Sequence, residues 1–522
     1  MGARYLSVAS IAFLCTVVGG GSLGELRQLS SPDLPGPAYG AFTPPAANTL
    51  TGARAVAPPA APPQYPGSFE LVGHDPLLYR GMNAAIAVKG DYVYVGYRSD
   101  GTKAVGGVLV VNVTNPAAPS VVGMIGPPDE DNPGESSREL RILPDKNLLM
   151  VLNHGCSELI HACANGTQAG ENIVTSTIKF YDIAGANAAA PKLVGTYTPS
   201  RTEAQTPHEF YVWTDPNDTK RVLMYETTPS TVSSGKDEMI VVDISKARQN
   251  QFTEIAKWKP ATMPGTGDRR LHSLTISDDG RRAYLAYLGG GFLVADTSDF
   301  ADNRPNPQIR LITPVGNRVS WGDPGAHSAI QIPGRPDWVM TTDEVYGQLG
   351  GLLAAHGCPW GWPRFIDISD PTHPRVAAQY KLPWNEASVC ANVDQIRENF
   401  SSFSSHNPTL TKHLAIVTWH SGGLQAIDIA DPANPKPAAG YLPDPLPAVQ
   451  VEDPALSSGE DKVVMWSFPV IQNGLIYAID LRNGLYIFKY HGPHEGEVAN
   501  TKFADGNTNA GCIIDKSSPA CT

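Results

Sequence analysis

Four histidines, His208, His272, His327 and His406, stand at one register of four successive stretches, each opening a short β-rich run. A second set, His154, Glu226, Asp343, Glu344, His420 and Arg482, stands at the ends of the runs that follow. Imidazoles brought together with acids behind them suit a transition metal, because neutral imidazole supplies the ligand nitrogen and an outer acid fixes its tautomer. The four histidines are therefore expected to be ligands, with Glu226, Glu344, His154 and His420 around them. A set without cysteine suits iron or copper better than zinc. The plainer alternative is that polar residues at this register only bridge neighbouring segments by hydrogen bonds. Asn83, Arg138 and Ser467 hold the equivalent place in three further copies.

Other chemistries lack their residues. There is no His-Glu-x-x-His, no Gly-x-Ser-x-Gly, no phosphate-binding loop and no Cys-x-x-Cys; the pairs His208-Glu209 and His494-Glu495 have no second histidine at helical spacing. The acidic run 129–132 lacks the downstream ligands of a calcium loop and reads as a solvated turn.

The elements that must position the histidines follow from a repeated phrase: a β-rich run, an Asp or Asn, a turn with Pro, and a second β-rich run. It is clearest at 108–123, 365–374 and 424–435, with weaker copies at 179–182, 240–243 and 293–296. The acid can close a turn onto the next amides and Pro ends the ladder, so each phrase reads strand, turn, strand. Two more strands precede each phrase, as at 273–277 and 282–287. Four antiparallel strands per repeat is the pattern of propeller blades. Counting first strands gives an all-β, seven-bladed β-propeller. The seventh repeat lacks an outer strand, and 69–73 resembles the outer strands at 121–123 and 192–195. The N-terminal strand is thus expected to complete the last blade and close the ring, which removes an exposed edge.

These phrases resemble the LVIVD repeat of exported β-propeller proteins, over roughly 68–493. The resemblance implies the architecture and almost nothing about chemistry. In such a fold the first strands begin at one mouth of a central channel, where the four histidines would gather. Three tryptophans, Trp360, Trp362 and Trp384, fall in long inserts on that face and are expected at its rim, open to an apolar or sugar contact.

Residues 1–24 read as a signal peptide: Arg4, an apolar run too short to span a membrane, then small residues before a cut after Gly24. Residues 25–67 are rich in Pro, Ala and Gly and read as a disordered linker; 68–493 is the propeller and 494–522 a tail. Six cysteines remain after cleavage, and their proximity suggests Cys156–Cys163, Cys358–Cys390 and Cys512–Cys521. A formal charge of −12 without a basic cluster argues against nucleic acid. The expectation is a secreted or envelope protein with no membrane span in the mature chain, monomeric because a closed ring needs no partner chain for stability. Two functions compete: a metal-dependent oxidoreductase using iron or copper on a small-molecule substrate, and a non-catalytic propeller that binds a protein, glycan or cell-wall partner.

Overall fold

The computed structural model describes residues 60–98, 106–126, 136–154, 177–200, 207–228, 238–259, 263–264, 269–322, 325–345, 360–389, 402–453 and 462–521. The leader, most of the linker, the acidic run 129–132 and Cys156, Cys163, Cys358 and Cys390 lie outside them, as does the side chain of His154.

The described chain is all-β and built of small antiparallel sheets in a propeller-like arrangement. Strand β1 is Ser68–Asp75. An eight-stranded sheet, curled into a half-barrel, follows. Its strands are β2 (Asn83–Lys89), β3 (Tyr92–Tyr97), β4 (Val108–Asn112), β5 (Ser120–Ile125), β6 (Ser136–Leu143), β7 (Leu148–His154), β8 (Thr177–Asp182) and β9 (Lys192–Tyr197). Four-stranded sheets come next. The first holds β10 (Glu209–Thr214), β11 (Val222–Thr228), β12 (Glu238–Asp243) and β13 (Thr253–Trp258). The second holds β14 (Ser273–Ile276), β15 (Arg282–Ala286), β16 (Phe292–Asp296) and, after the short helix α1 (Ser298–Ala301), β17 (Arg310–Leu311). The third holds β18 (Ser328–Gln331), β19 (Trp338–Thr342), β20 (Arg364–Asp367) and β21 (Arg375–Gln379). The fourth holds β22 (Pro408–Leu410), β23 (Leu414–Trp419), β24 (Gly423–Asp428) and β25 (Lys436–Tyr441). The last sheet has β26 (Val470–Gln472), β27 (Leu475–Asp480) and β28 (Gly484–His491), with β1 on one edge and β29 (Phe503–Ala504) on the other.

The repeated acid does one job in six copies. Asn112, Asp182, Asp243, Asp296, Asp367 and Asp428 each accept a hydrogen bond at Oδ1 from the amide two residues on, over 2.8–3.2 Å. That Asx turn ends the third strand and aims the chain into the fourth. A bulge then recurs where third and fourth strands pair, at Val110/Val111, Phe180/Tyr181, Val241/Val242, Phe365/Ile366 and Ala426/Ile427. Strand β1 carries the corresponding irregularity, at Leu71/Gly73, in its pairing with β28. Phe69 opposite Tyr490 and Leu71 opposite Phe488 fix that register, as the outer-strand likeness of 69–73 anticipates.

Apolar side chains fill the space between sheets, so second and third strands such as β15 and β16 are buried along nearly their whole length. At Gly280, φ is +76° and a Cβ would stand 2.4 Å from the Trp213 ring of the preceding sheet, so the turn between β14 and β15 requires glycine twice over.

The residues after β28 are docked. Helix α2 (Glu495–Ala499), β29 and helix α3 (Ala510–Ile514) lead to the Cys512–Cys521 disulfide. Val212 N–H donates to the Asn507 carbonyl, the Asn509 side chain bonds both backbone groups of Thr214, and Lys412 N–H donates to the Pro519 carbonyl. This segment therefore lies against the far ends of first strands from several sheets, and a cavity of about 70 Å³ lined by Tyr211, Thr275, Gln331 and Thr409 is left beneath it. No helix among the described residues is long and apolar enough to cross a membrane.

Candidate metal centre

The four histidines share one backbone position. The amides of His208, His272, His327 and His406 donate to the carbonyls of Thr227, Ala286, Thr342 and Thr418, closing the first rung between first and second strands in four successive sheets. The same rung at the same register places the four rings side by side. Centroids are 4.2 Å apart for His208 and His272, 4.0 Å for His272 and His327, and 4.6 Å for His327 and His406. The rings thus form an arc. Among the described residues no ion-holding group contains more than two of the four.

Glu344 fills the inside of that arc. Its Oε2 lies 3.1 Å from His327 Nε2, and its Oε1 lies 3.2 Å from His406 Nε2 and 3.7 Å from His420 Nε2. Along the arc, three groups of the described side chains could hold an ion, each with donor atoms within 4.8 Å of one another: His208, Glu209 and His272; His272, His327 and Glu344; and Glu344, His406 and His420. Glu344 and His420, expected behind the ligands, are therefore among the side chains that could be donors. Glu344 follows β19 and turns to the imidazoles, whereas the carboxylate of its neighbour Asp343 is taken by Arg364 and by Trp321 Nε1.

Three of the other ring nitrogens are anchored. His406 Nδ1 donates to the Trp466 carbonyl, His327 Nδ1 lies 2.9 Å from Ser328 Oγ, and His420 Nδ1 lies 2.6 Å from Ser402 Oγ. The Trp466 ring stacks on His420 at 5.4 Å and 9°, and its centroid is 4.2 Å from that of His406. Burial lowers His272 and His406 well below the usual imidazole value and lowers His420 as well. His327 is raised: burial pulls it down, and the Glu344 carboxylate more than offsets this. Burial would raise Glu344, but His406 and His327 hold it well below the ordinary carboxylate range.

The other expected residues are scattered. Glu226 is buried in β11 opposite Phe210 and belongs to none of the ion-holding groups among the described residues. Arg482 turns to Glu452 at 3.1 Å. The rim expectation is corrected for two tryptophans: Trp360 and Trp384 are 3% and 1% exposed and pack on Phe403, because their apolar surface joins a core with Val345, Leu382 and Trp419. Trp362 is half-buried under Arg364 and Lys381.

Sequence reasoning passed over Glu209, which burial and the nearby Glu139 push up to about 7. The signal existed: Glu139 and Glu209 each follow the register residue, Arg138 and His208, in successive copies.

The LVIVD repeat matches residues 80–125 and 365–381. No curated protein matches the chain. Among solved structures, a protein from Lactobacillus plantarum is similar at 13% identity and TM-score 0.40, over 73% of this chain and 86% of that one. The Swd1 β-propeller domain of Myceliophteria thermophila is similar at 9% identity and TM-score 0.41, over 81% and 99%. The periplasmic gluconolactonase of Pseudomonas aeruginosa is similar at 14% identity and TM-score 0.36, over 56% and 67%.

Proposed function

We propose that this chain is an exported seven-bladed β-propeller whose histidine arc holds a redox metal, iron or copper, at one mouth of an axial channel, and that it acts there as an oxidoreductase. The blade count takes the eight-stranded sheet as two blades, β2–β5 and β6–β9, since a single pair, Tyr97 and Ser137, joins β3 to β6. The bulge that β1 shares with the outer strands supports its completing the last blade and closing the ring. Export rests on the leader-like residues 1–24, and a disulfide between Cys512 and Cys521 accords with an oxidising compartment. The propeller would run over 68–493, with 494–522 as a docked tail.

One observation carries the metal reading. His406 Nδ1 donates to the Trp466 carbonyl, and in the neutral ring that burial favours, Nε2 turns a lone pair toward Glu344 Oε1 at 3.2 Å. Two acceptors meet in a buried site, an arrangement that costs free energy unless a cation lies between them. Glu344, His406 and His420 would hold the ion, with His327 and His272 next along the arc. Two imidazoles and a carboxylate with open positions is a donor set that suits non-haem iron, which supplies electron-transfer and oxygen chemistry when bound. The chain's own part is to fix the imidazoles through Trp466, Ser402 and Ser328, and to exclude water with the Trp466 ring. The tail covers the far ends of the first strands, so substrate would enter from the histidine side.

The binding-module alternative needs the histidines as bridges between blades. Threonines carry part of that task, since Thr227 Oγ1 donates to the His272 carbonyl, Thr342 Oγ1 to that of His406, and Thr418 Oγ1 to that of Trp466, and of the histidines His406 adds a bridge to the Trp466 carbonyl. Elemental analysis of the purified full chain, before and after loading with Fe(II) or Cu(II), tests the proposal. A stoichiometric redox metal that His406→Ala and His420→Ala lose is the expected result. A folded wild type that takes up neither metal would return the binding propeller to first place.

A further inference from the structure

A second cluster sits at the other end of the same strands. The turn 411–413, between β22 and β23, presents His413 to helix α2 of the tail, and His494 immediately precedes that helix. The two imidazoles stack at 5.0 Å and 27°. Each has one nitrogen on an acid: His413 Nδ1 lies 2.5 Å from Glu497 Oε1, and His494 Nε2 lies 3.3 Å from Asp428 Oδ1. The second oxygen of Glu497 is held by Thr411 Oγ1 at 2.7 Å and by His413 N–H at 3.0 Å, which fixes the carboxylate.

We infer that His413, His494 and Glu497 form a zinc site that ties the tail to the sheet β22–β25. One donor atom from each lies within 4.8 Å of the other two. Tetrahedral zinc with bonds of about 2.0–2.1 Å places its donors roughly 3.4 Å apart, so a shift of about 1 Å in half-buried side chains completes the shell. Asp428 or water supplies the fourth position. His494 also holds φ at +61°, an uncommon conformation for a residue with a side chain, and the ring reaches both Asp428 and His413 from it. The inference stands apart from the histidine arc and shares no residue with it.

The test uses the full chain, stripped with chelator and titrated with Zn(II) alone. A background of His272→Ala with His406→Ala removes a donor from each of the three groups on the arc, and His494→Asn is added because Asn tolerates positive φ. The expected result is one zinc equivalent bound by that background and bound at least tenfold more weakly once His494→Asn is added. Zinc should also slow proteolysis within 495–521 only when His494 is present. Equal zinc binding with and without His494→Asn, in chains of matching circular dichroism, overturns the proposal. Should His494→Asn fold poorly, Glu497→Gln, which keeps the shape and one acceptor oxygen, carries the same comparison, and undiminished zinc binding there has the same consequence.

Discussion

His406 Nε2 and Glu344 Oε1 face each other across 3.2 Å, and in the neutral ring that burial favours, with its proton on Nδ1 toward the Trp466 carbonyl, an acceptor stands on either side. Glu344→Gln replaces one oxygen by an amide donor that satisfies His406 Nε2. In the metal-free protein this variant should be more stable than wild type by about 1–3 kcal/mol, the range for relieving an unsatisfied buried group. In the metal-loaded protein the sign should reverse, since wild type gains binding energy that the amide cannot match. Denaturant unfolding with and without chelator reads both values. A change of the same sign under both conditions would leave the carboxylate without a metal role.

His327 gives an independent check of the arc. Its ring nitrogens touch Glu344 and Ser328, and Ser328 Oγ donates in turn to Asn407 Oδ1 at 3.0 Å. Ser402→Ala removes the corresponding support, at 2.6 Å, from the proposed ligand His420 and should weaken metal affinity about 10- to 100-fold, as loss of an outer hydrogen bond does elsewhere, whereas Ser328→Ala acts one imidazole further along and should change it less. Competition with a chelating dye measures both. An equal loss in the two variants would place His327 among the ligands, and unchanged affinity in Ser402→Ala would remove His420 from them.

How much of this was legible in the sequence depends on what each feature requires. The Asx turns, the outer-strand likeness of 69–73 and the shared histidine register depend on neighbours in the chain or on the repeat, so Asp367, Phe69 and His272 could be placed from their own copies. Which way a side chain turns at the end of a second strand depends on the adjoining sheet. Asp343 and Glu344 are consecutive, yet one turns to Arg364 and the other to three imidazoles. The burial of Trp384 likewise needs Phe403 and the Ala60 carbonyl, which are distant in sequence.

Strand β1 should be indispensable to the last sheet. Phe69 packs on Phe488 and Tyr490 at 5.8 and 5.6 Å, and Phe69→Ala should cost about 3 kcal/mol. Removing residues 1–75 would bare the β28 edge, and the product should associate on size-exclusion chromatography, whereas removing 1–59 should leave a well-behaved chain. A monomeric, fully stable product of the longer deletion would speak against closure by β1.

The end of β1 holds two ionisable groups with opposed responses to pH. Burial lowers His74 to about 4, although its Nε2 donates to the Asn483 carbonyl at 2.8 Å. Burial raises Asp75 to about 6, against the pull of the Leu77 amide. Between pH 4 and 6 the unfolded chain holds an extra proton on His74 and the folded chain an extra proton on Asp75, so the two contributions nearly cancel in wild type. Each single variant should expose the other's slope. With Asp75→Asn, the depressed His74 remains: its contribution is complete above about pH 6.5 and is lost as pH falls toward 4, by about 2–3 kcal/mol. With His74→Ala, the raised Asp75 remains: stability is highest near pH 4 and falls by a similar amount as pH rises through 6. Urea unfolding at half-unit steps from pH 4 to 7 decides it. Parallel curves for the two variants would mean that neither group is buried with β1 docked, and would weaken the seam between β1 and β28 as an explanation of closure.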